Sequence, residues 1–88
     1  MTDFSALEKV TRLIEEAPHG GAGLMFYALV KTLSTEKGGA AYLLVKLREF
    51  TPEERQLAYG LMELMASGAS QEPEWGAAVA RMDTAMRG

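Results

Sequence analysis

The chain has 88 residues, of which 48% are hydrophobic and 24% are charged, and these fractions are typical of a single folded domain with one core. Nine Lys and Arg residues against 12 Asp and Glu residues give a net charge of -3, which provides no long-range attraction to nucleic acid or to anionic lipid. The absence of cysteine excludes disulfides, thiolate metal ligands and cysteine nucleophiles.

The sequence contains no pattern typical of secretion or membrane insertion. Acidic and basic residues are mixed over residues 1–16, without the apolar centre of a secretory signal. The longest unbroken apolar run, 22–30, is about half of the roughly 20 residues that a membrane-spanning helix requires. We therefore expect a cytoplasmic protein that has no membrane partner.

A first amphipathic helix is predicted over residues 4–17. Two caps are possible at its start, Thr2 followed by Asp3, or Ser5 with Glu8 in a capping box. A proline followed by a histidine and two glycines ends the helix. Apolar residues recur at spacings of three and four and so share one face, while charged residues fall mostly on the other. The apolar face consists of Phe4, Leu7, Val10, Ile14 and Ala17.

The segment 24–47 is the most apolar part of the chain and is predicted to form a helical hairpin. Its first arm, helix 23–33, is apolar on nearly every side, and such a helix must be surrounded by other protein. Its second arm is predicted as helix 36–50. Residues 34–39 form either a turn or part of that helix, because glycine inside a helix costs about 1 kcal/mol relative to alanine but also permits a close helix crossing.

Two further helices are predicted at 52–66 and 73–86. The first has the clearest start in the chain, with Thr51 as N-cap, a proline at the first helical position and Glu54 completing a capping box. Ser67 followed by glycine ends it. The second is alanine-rich and carries one narrow apolar stripe, made of Trp75, Val79, Met82 and Met86.

These elements predict an all-α single domain, an irregular or antiparallel bundle of four to five short helices. Four to five short helices offer too little surface to enclose the 24–47 hairpin. We therefore expect a second copy of the chain, or another protein, to cover it. The methionines of the last two helices suit a core or an adaptable binding surface, and a core is favoured. The expected interface residues are Leu24, Met25, Phe26, Tyr27, Leu29, Val30, Leu33, Tyr42, Trp75, Met82 and Met86.

The glycine-rich run 19–23 has two interpretations. An uncapped helix N-terminus can bind a phosphate or carboxylate, and the candidate anion-binding residues are then His19, Gly20, Gly21 and Gly23. The same glycines also suit a plain reversal of the chain between two helices. The reversal is favoured, since no strand precedes the run and its spacing matches neither phosphate-binding glycine motif.

No other pattern indicates catalysis, a metal or a cofactor. His19 is the only histidine and no Gly-x-Ser-x-Gly motif occurs, so a catalytic triad is not predicted. The carboxylate pairs at 15–16 and 53–54 are adjacent on their helices and do not face each other. A metal site would need several ligands at matched spacing. We therefore expect no enzymatic activity, no catalytic residue, no metal and no cofactor.

The sequence thus favours a non-enzymatic protein–protein interaction module, a small regulatory or adaptor subunit that is homodimeric through the 24–47 hairpin. The alternative is a DNA-binding transcriptional regulator with a helix-turn-helix-like segment at 28–47. Its reading helix would present Glu36, Lys37 and small residues to the DNA bases. These residue types are poorly suited to recognising a base sequence. Four basic and two acidic residues over 23–50, a net +2, are also a weak electrostatic footprint.

Overall fold

A computed structural model describes residues 3–34 and 47–87, and its regular elements are helical throughout these two ranges. The absence of strands from the described residues confirms the predicted all-α class, and the helices form one compact domain. The elements are α1 (Ser5–Glu16), α2 (Gly21–Leu33), a 3₁₀ turn (Leu47–Glu49), α3 (Pro52–Ala66), a second 3₁₀ turn (Ala69–Gln71) and α4 (Pro73–Arg87).

The core is built from apolar residues of all four helices. Helix α1 packs against each of the other three, most extensively against α4, and α2 also contacts α3 and α4. Of the apolar face predicted for α1, Leu7, Val10 and Ile14 are buried, whereas Phe4 is half-buried and Ala17 is exposed. The buried apolar residues include Leu7, Val10, Ile14, Phe26, Leu29, Val30, Phe50, Ala58, Leu61, Leu64, Trp75, Ala78 and Met82.

The start of α1 differs from the prediction. Phe4 occupies the N-cap position, and no side chain caps the helix. The Asp3 carboxylate accepts a hydrogen bond from the backbone N–H of Ser5 at 2.9 Å, so Asp3 supports the first turn without being the N-cap. The Ser5–Glu8 capping box was wrong, because Ser5 already lies inside the helix and the Glu8 carboxylate binds two arginines instead. Thr2 lies outside the described residues.

Helix α2 begins two residues before its predicted start, within the glycine run. Gly20 is its N-cap, with an extended backbone (φ -72°, ψ 158°) and no side-chain cap. Gly23 packs so closely against the end of α1 that a Cβ there would lie 2.5 Å from the carbonyl oxygen of Ala17. Glycine is therefore needed at position 23 for close packing. This tertiary contact explains why the helix includes Gly23, which intrinsic helix propensity disfavours.

The structure describes the predicted helix 36–50 only from residue 47 onward. Residues 35–46 lie outside the described residues, and they include 35–39, for which both a turn and a helix were predicted. A helix over 36–46 stays a prediction, but its described end is a single 3₁₀ turn, Leu47–Glu49, so helical geometry stops one residue before the predicted end. The reason is the next residue, since Thr51 needs an extended backbone (ψ 163°) to cap α3. The Phe50 ring stacks on the Phe26 ring of α2, with centroids 4.5 Å apart.

Helix α3 starts and ends as predicted. The Thr51 hydroxyl accepts a hydrogen bond from the Glu54 backbone N–H at 3.2 Å, and the Glu54 carboxylate accepts one from the Thr51 N–H at 2.8 Å. This reciprocal pair is the predicted capping box, and it satisfies two backbone N–H groups. After the helix, Gly68 has a φ of 88°, a left-handed conformation that favours glycine and ends α3.

Helix α4 extends one residue beyond its predicted end, and a tryptophan in its first turn joins it to the end of α2. The indole N–H of Trp75 donates a hydrogen bond of 2.9 Å to the hydroxyl oxygen of Ser34, which is the C-cap residue of α2. Ser34 in turn donates to the carbonyl oxygen of Val30. The residues that α4 buries in the core are Trp75, Ala78 and Met82, with Val79 and Met86 partly buried.

Candidate interaction surface

The exposed side of α2 is apolar where a surface helix is usually polar. Gly21, Leu24, Ala28 and Lys31 are all exposed, and their spacings of three, four and three place them on one side of the helix. Leu24 keeps 47% of its surface exposed, and Met25 beside it is half-buried. Lys31 is the only charged residue in α2. We call the surface formed by Gly21, Leu24, Met25 and Ala28 the α2 face.

The exposed side of α1 has the opposite character. Its exposed residues are all polar or charged, as expected of a helix that faces water. They are Ser5, Lys9, Arg12, Glu15 and Glu16.

Helix α3 also exposes two large apolar side chains, and the half-buried Met62 lies three residues from each of them. Tyr59 is 46% exposed and lies between Gln56 and Glu63 on the same side of the helix. Met65 is 40% exposed and, six residues later, points in a different direction. Scattered apolar residues are normal on protein surfaces, whereas adjoining ones mark interaction sites. The α2 face is the better candidate because no acidic residue interrupts it, whereas the exposed Glu63 lies beside Tyr59 and Met62 on α3.

A polar contact joins the flank of the α2 face to α4. The Tyr27 hydroxyl donates a hydrogen bond to the Asp83 carboxylate, and the Lys31 ammonium lies 3.3 Å from the same carboxylate oxygen. The hydrogen bond from Tyr27 holds the pKa of Asp83 below its ordinary value and raises the pKa of Tyr27 above its own. The Lys31 ammonium also lies 5.7 Å from the centre of the Tyr27 ring. Lys31 is thus engaged within the chain.

A second polar contact joins α4 to α1. The Arg81 guanidinium donates two hydrogen bonds to the Glu15 carboxylate, at 2.7 Å and 3.0 Å, and a third to Glu8 at 3.2 Å. Glu8 also accepts from Arg12 one turn along α1. The hydrogen bond from Arg12 is the main cause that lowers the pKa of Glu8, and the bond from Arg81 is the main cause that lowers the pKa of Glu15.

Shallow grooves lie on either side of Arg81, between α1 and α4. One has a volume of about 240 Å³, below the usual range for small-molecule sites. It is lined by Phe4, Leu7, Glu8, Glu74, Ala77, Ala78 and Arg81. The other has a volume of about 470 Å³, is more open to solvent, and is lined by Glu15, Ala80, Arg81, Thr84 and Ala85. Their charged walls include the Glu8 and Glu15 carboxylates, which bind Arg81.

The structure separates the predicted interface residues by exposure. Five of them are core residues of the single chain and are not open to a partner: Phe26, Leu29, Val30, Trp75 and Met82. The apolar pattern of α2 has no polar side, so it could not show which residues meet α1, α3 and α4. Four more are partly buried, namely Met25, Tyr27, Leu33 and Met86. Leu24 is exposed, and Tyr42 lies outside the described residues.

The glycine-rich run takes part in the reversal between α1 and α2. His19, Gly20 and Gly21 are exposed, whereas Gly23 is buried against Ala17. The N–H of Gly20 donates to the carbonyl oxygen of Ala17 at 3.1 Å, which closes the turn. Close packing accounts for the glycine at position 23. Anion binding at 19–23 stays a prediction.

The helices of the described ranges include none with the length and apolar content needed to cross a bilayer. Over residues 3–34 and 47–87, no group of three or more Asp, Glu or His side chains is placed to hold a metal ion.

The helix-turn-helix-like segment 28–47 is described only in part. Ala28 to Leu33 form the end of α2, with Ser34 as its C-cap, and the proposed reading helix is outside the described residues up to 46. Lys31, the only basic residue of α2, already pairs with Asp83. The described part of the segment therefore provides no support for DNA binding.

Arg81 and Asp83 were not predicted as contact residues. The sequence does contain one signal, since they are the only charged residues of α4 between Glu74 and Arg87 and they flank the stripe residue Met82. Charged residues beside a buried position can form the rim of a packing surface. Their partners on α1 and α2 are distant in sequence, so only the folded chain identifies them.

Comparison of the chain with models of protein families, with curated proteins and with solved structures finds no match. The chain's own surface is therefore what bears on its function.

Proposed function

We propose that this protein is a non-enzymatic protein–protein interaction module. It acts as a small cytoplasmic regulatory or adaptor subunit and forms a homodimer through the 24–47 segment. The same segment binds a second protein in the adaptor role.

The observation that carries this proposal is the α2 face. Leu24 and Ala28 are exposed one turn apart beside the half-buried Met25, with no acidic residue in the helix and with Lys31 turned to Asp83. Removing apolar surface from water contributes about 25 cal/mol per Å², so a partner that covers these side chains gains free energy without having to desolvate an unpaired charge.

The size of the α2 face limits the affinity that it can supply alone. A specific interface buries about 800 Å² on each partner. A helix of 13 residues is about 20 Å long, so one exposed side of α2 falls well short of that area. The second arm of the predicted hairpin adds apolar residues in the sequence, including Tyr42, Leu44 and Val45. We therefore propose that both arms contribute to the dimer.

Sedimentation velocity over a concentration series tests the homodimer. The expected result is a shift of the weight-average mass from one chain toward two as the concentration rises from low to high micromolar. A mass of one chain at all these concentrations would remove the homodimer from the proposal.

Affinity purification from the native cell tests the adaptor role. The wild-type chain and a Leu24→Lys variant serve as matched baits, and proteins that only the wild-type bait retains are the expected partners. The adaptor role fails if no protein distinguishes the two baits. A fluorescence anisotropy titration against duplex DNA at low salt, expected to show no binding, separates this function from the DNA-binding alternative.

A further inference from the structure

We draw no further inference here: the strongest candidate, the groove between α1 and α4 that Leu7 and Ala78 line beside Arg81, carries nothing because Glu8 and Glu15 already neutralise Arg81 and nothing in the structure shows what covers the groove.

Discussion

At the scale of single residues, Trp75 links the last helix to the end of α2. Its side chain is 2% exposed, so its indole N–H must find a partner inside the protein, and Ser34 supplies that partner. Trp75 is also the only tryptophan of the chain, so its fluorescence reports directly on this contact.

Replacing the partner hydroxyl tests how much this hydrogen bond contributes. In Ser34→Ala the indole N–H loses its acceptor, but Ser34 is itself exposed, so water can partly replace the hydroxyl. We expect the free energy of unfolding to fall by about 1 kcal/mol, the usual net contribution of one hydrogen bond. Urea unfolding followed by Trp75 fluorescence measures the change.

A serine at the end of α3 provides the matched control. The Ser67 hydroxyl donates to the carbonyl oxygen of Leu64, a bond of the same local kind as the one from Ser34 to Val30. Ser67→Ala therefore removes the local bond without orphaning an indole. Equal losses of stability in the two variants would show that the Trp75 contact contributes nothing.

At the scale of elements, α1 and α3 cross at a point where both have small residues. A Cβ at Gly60 would lie 2.7 Å from the Cβ of Ala6, a distance that real side chains do not reach without movement of the backbone. The glycine in α3 thus permits the close approach of the two helices. A glycine inside a helix costs about 1 kcal/mol relative to alanine, and the close crossing explains why α3 nevertheless has one here.

Alanine at two different helical glycines should change stability in opposite directions. Gly60→Ala gains helix propensity but overpacks the crossing, and we expect a net loss of about 1–3 kcal/mol of unfolding free energy. Gly76→Ala in α4 meets no atom within 4 Å, so we expect a gain of about 0.5–1 kcal/mol. Thermal and urea unfolding of the two variants measure both effects.

The double variant Ala6→Gly/Gly60→Ala distinguishes a steric effect from other causes. Removing the Cβ of Ala6 makes room for the new one, so the two substitutions should be less damaging together than the sum of each alone. Additive losses would contradict the close crossing that the structure describes.

The contact between Arg81 and α1 predicts how acid affects the attachment of α4. The pKa values of Glu8 and Glu15 are lowered in the folded chain, so the unfolded chain binds more protons as the pH falls toward 4. The stabilisation from these carboxylates is therefore complete above their ordinary pKa range, about 4–5, and is lost as the pH falls through the lower folded-state values. Salt screens the contact, since the Arg81 side chain is 44% exposed.

Arg81→Gln should reduce this acid sensitivity. With the guanidinium removed, the pKa of Glu15 returns toward its ordinary value, so the melting temperature should be lower at neutral pH but should fall less on acidification. Arg12→Gln is the comparison that removes only the contact within α1: it should return the pKa of Glu8 toward its ordinary value while leaving the hydrogen bonds from Arg81 to Glu15 in place. A parallel pH dependence in Arg81→Gln and the wild-type chain would show that the contact between the helices does not contribute.

At the scale of the whole molecule, the distribution of charge among the helices is uneven. Helix α1 faces water with charged residues, whereas the α2 face presents Leu24, Met25 and Ala28. A charge at the centre of the α2 face is well hydrated in the single chain and costly to bury between two chains.

Leu24→Lys should therefore weaken the proposed dimer without unfolding the domain. We expect the dissociation constant to rise by about tenfold or more, which corresponds to about 1.4 kcal/mol or more of binding free energy. Met65→Lys, an apolar residue of similar exposure on α3, should leave self-association unchanged. Sedimentation measures the association, and circular dichroism checks that both variants remain helical.

The prediction has two contradicting outcomes. Equal weakening of the dimer by both variants would show that self-association depends on exposed apolar residues in general and not on the α2 face in particular. No weakening by Leu24→Lys in a chain that does dimerise would place the interface elsewhere.

The parts of the fold that could be predicted from the sequence are those set by local chemistry. The Thr51–Glu54 capping box involves residues three apart, and the left-handed turn at Gly68 involves one residue, so nearby sequence contains all that determines them. The amphipathic pattern of α1 likewise identified Leu7, Val10 and Ile14 as core residues. The Ser5–Glu8 box failed because α1 already includes Ser5 and because Glu8 pairs with Arg12 and Arg81.

By itself, the sequence determined that the described chain is helical, where α3 begins and ends, and which side of α1 is buried, because helix periodicity and capping act over a few residues. Only the tertiary structure decided which side of the uniformly apolar α2 is enclosed, why Gly23 and Gly60 are glycines, and that Arg81 and Asp83 join α4 to α1 and α2. These features depend on residues far apart in the chain, and such pairs are defined only once the helices have packed.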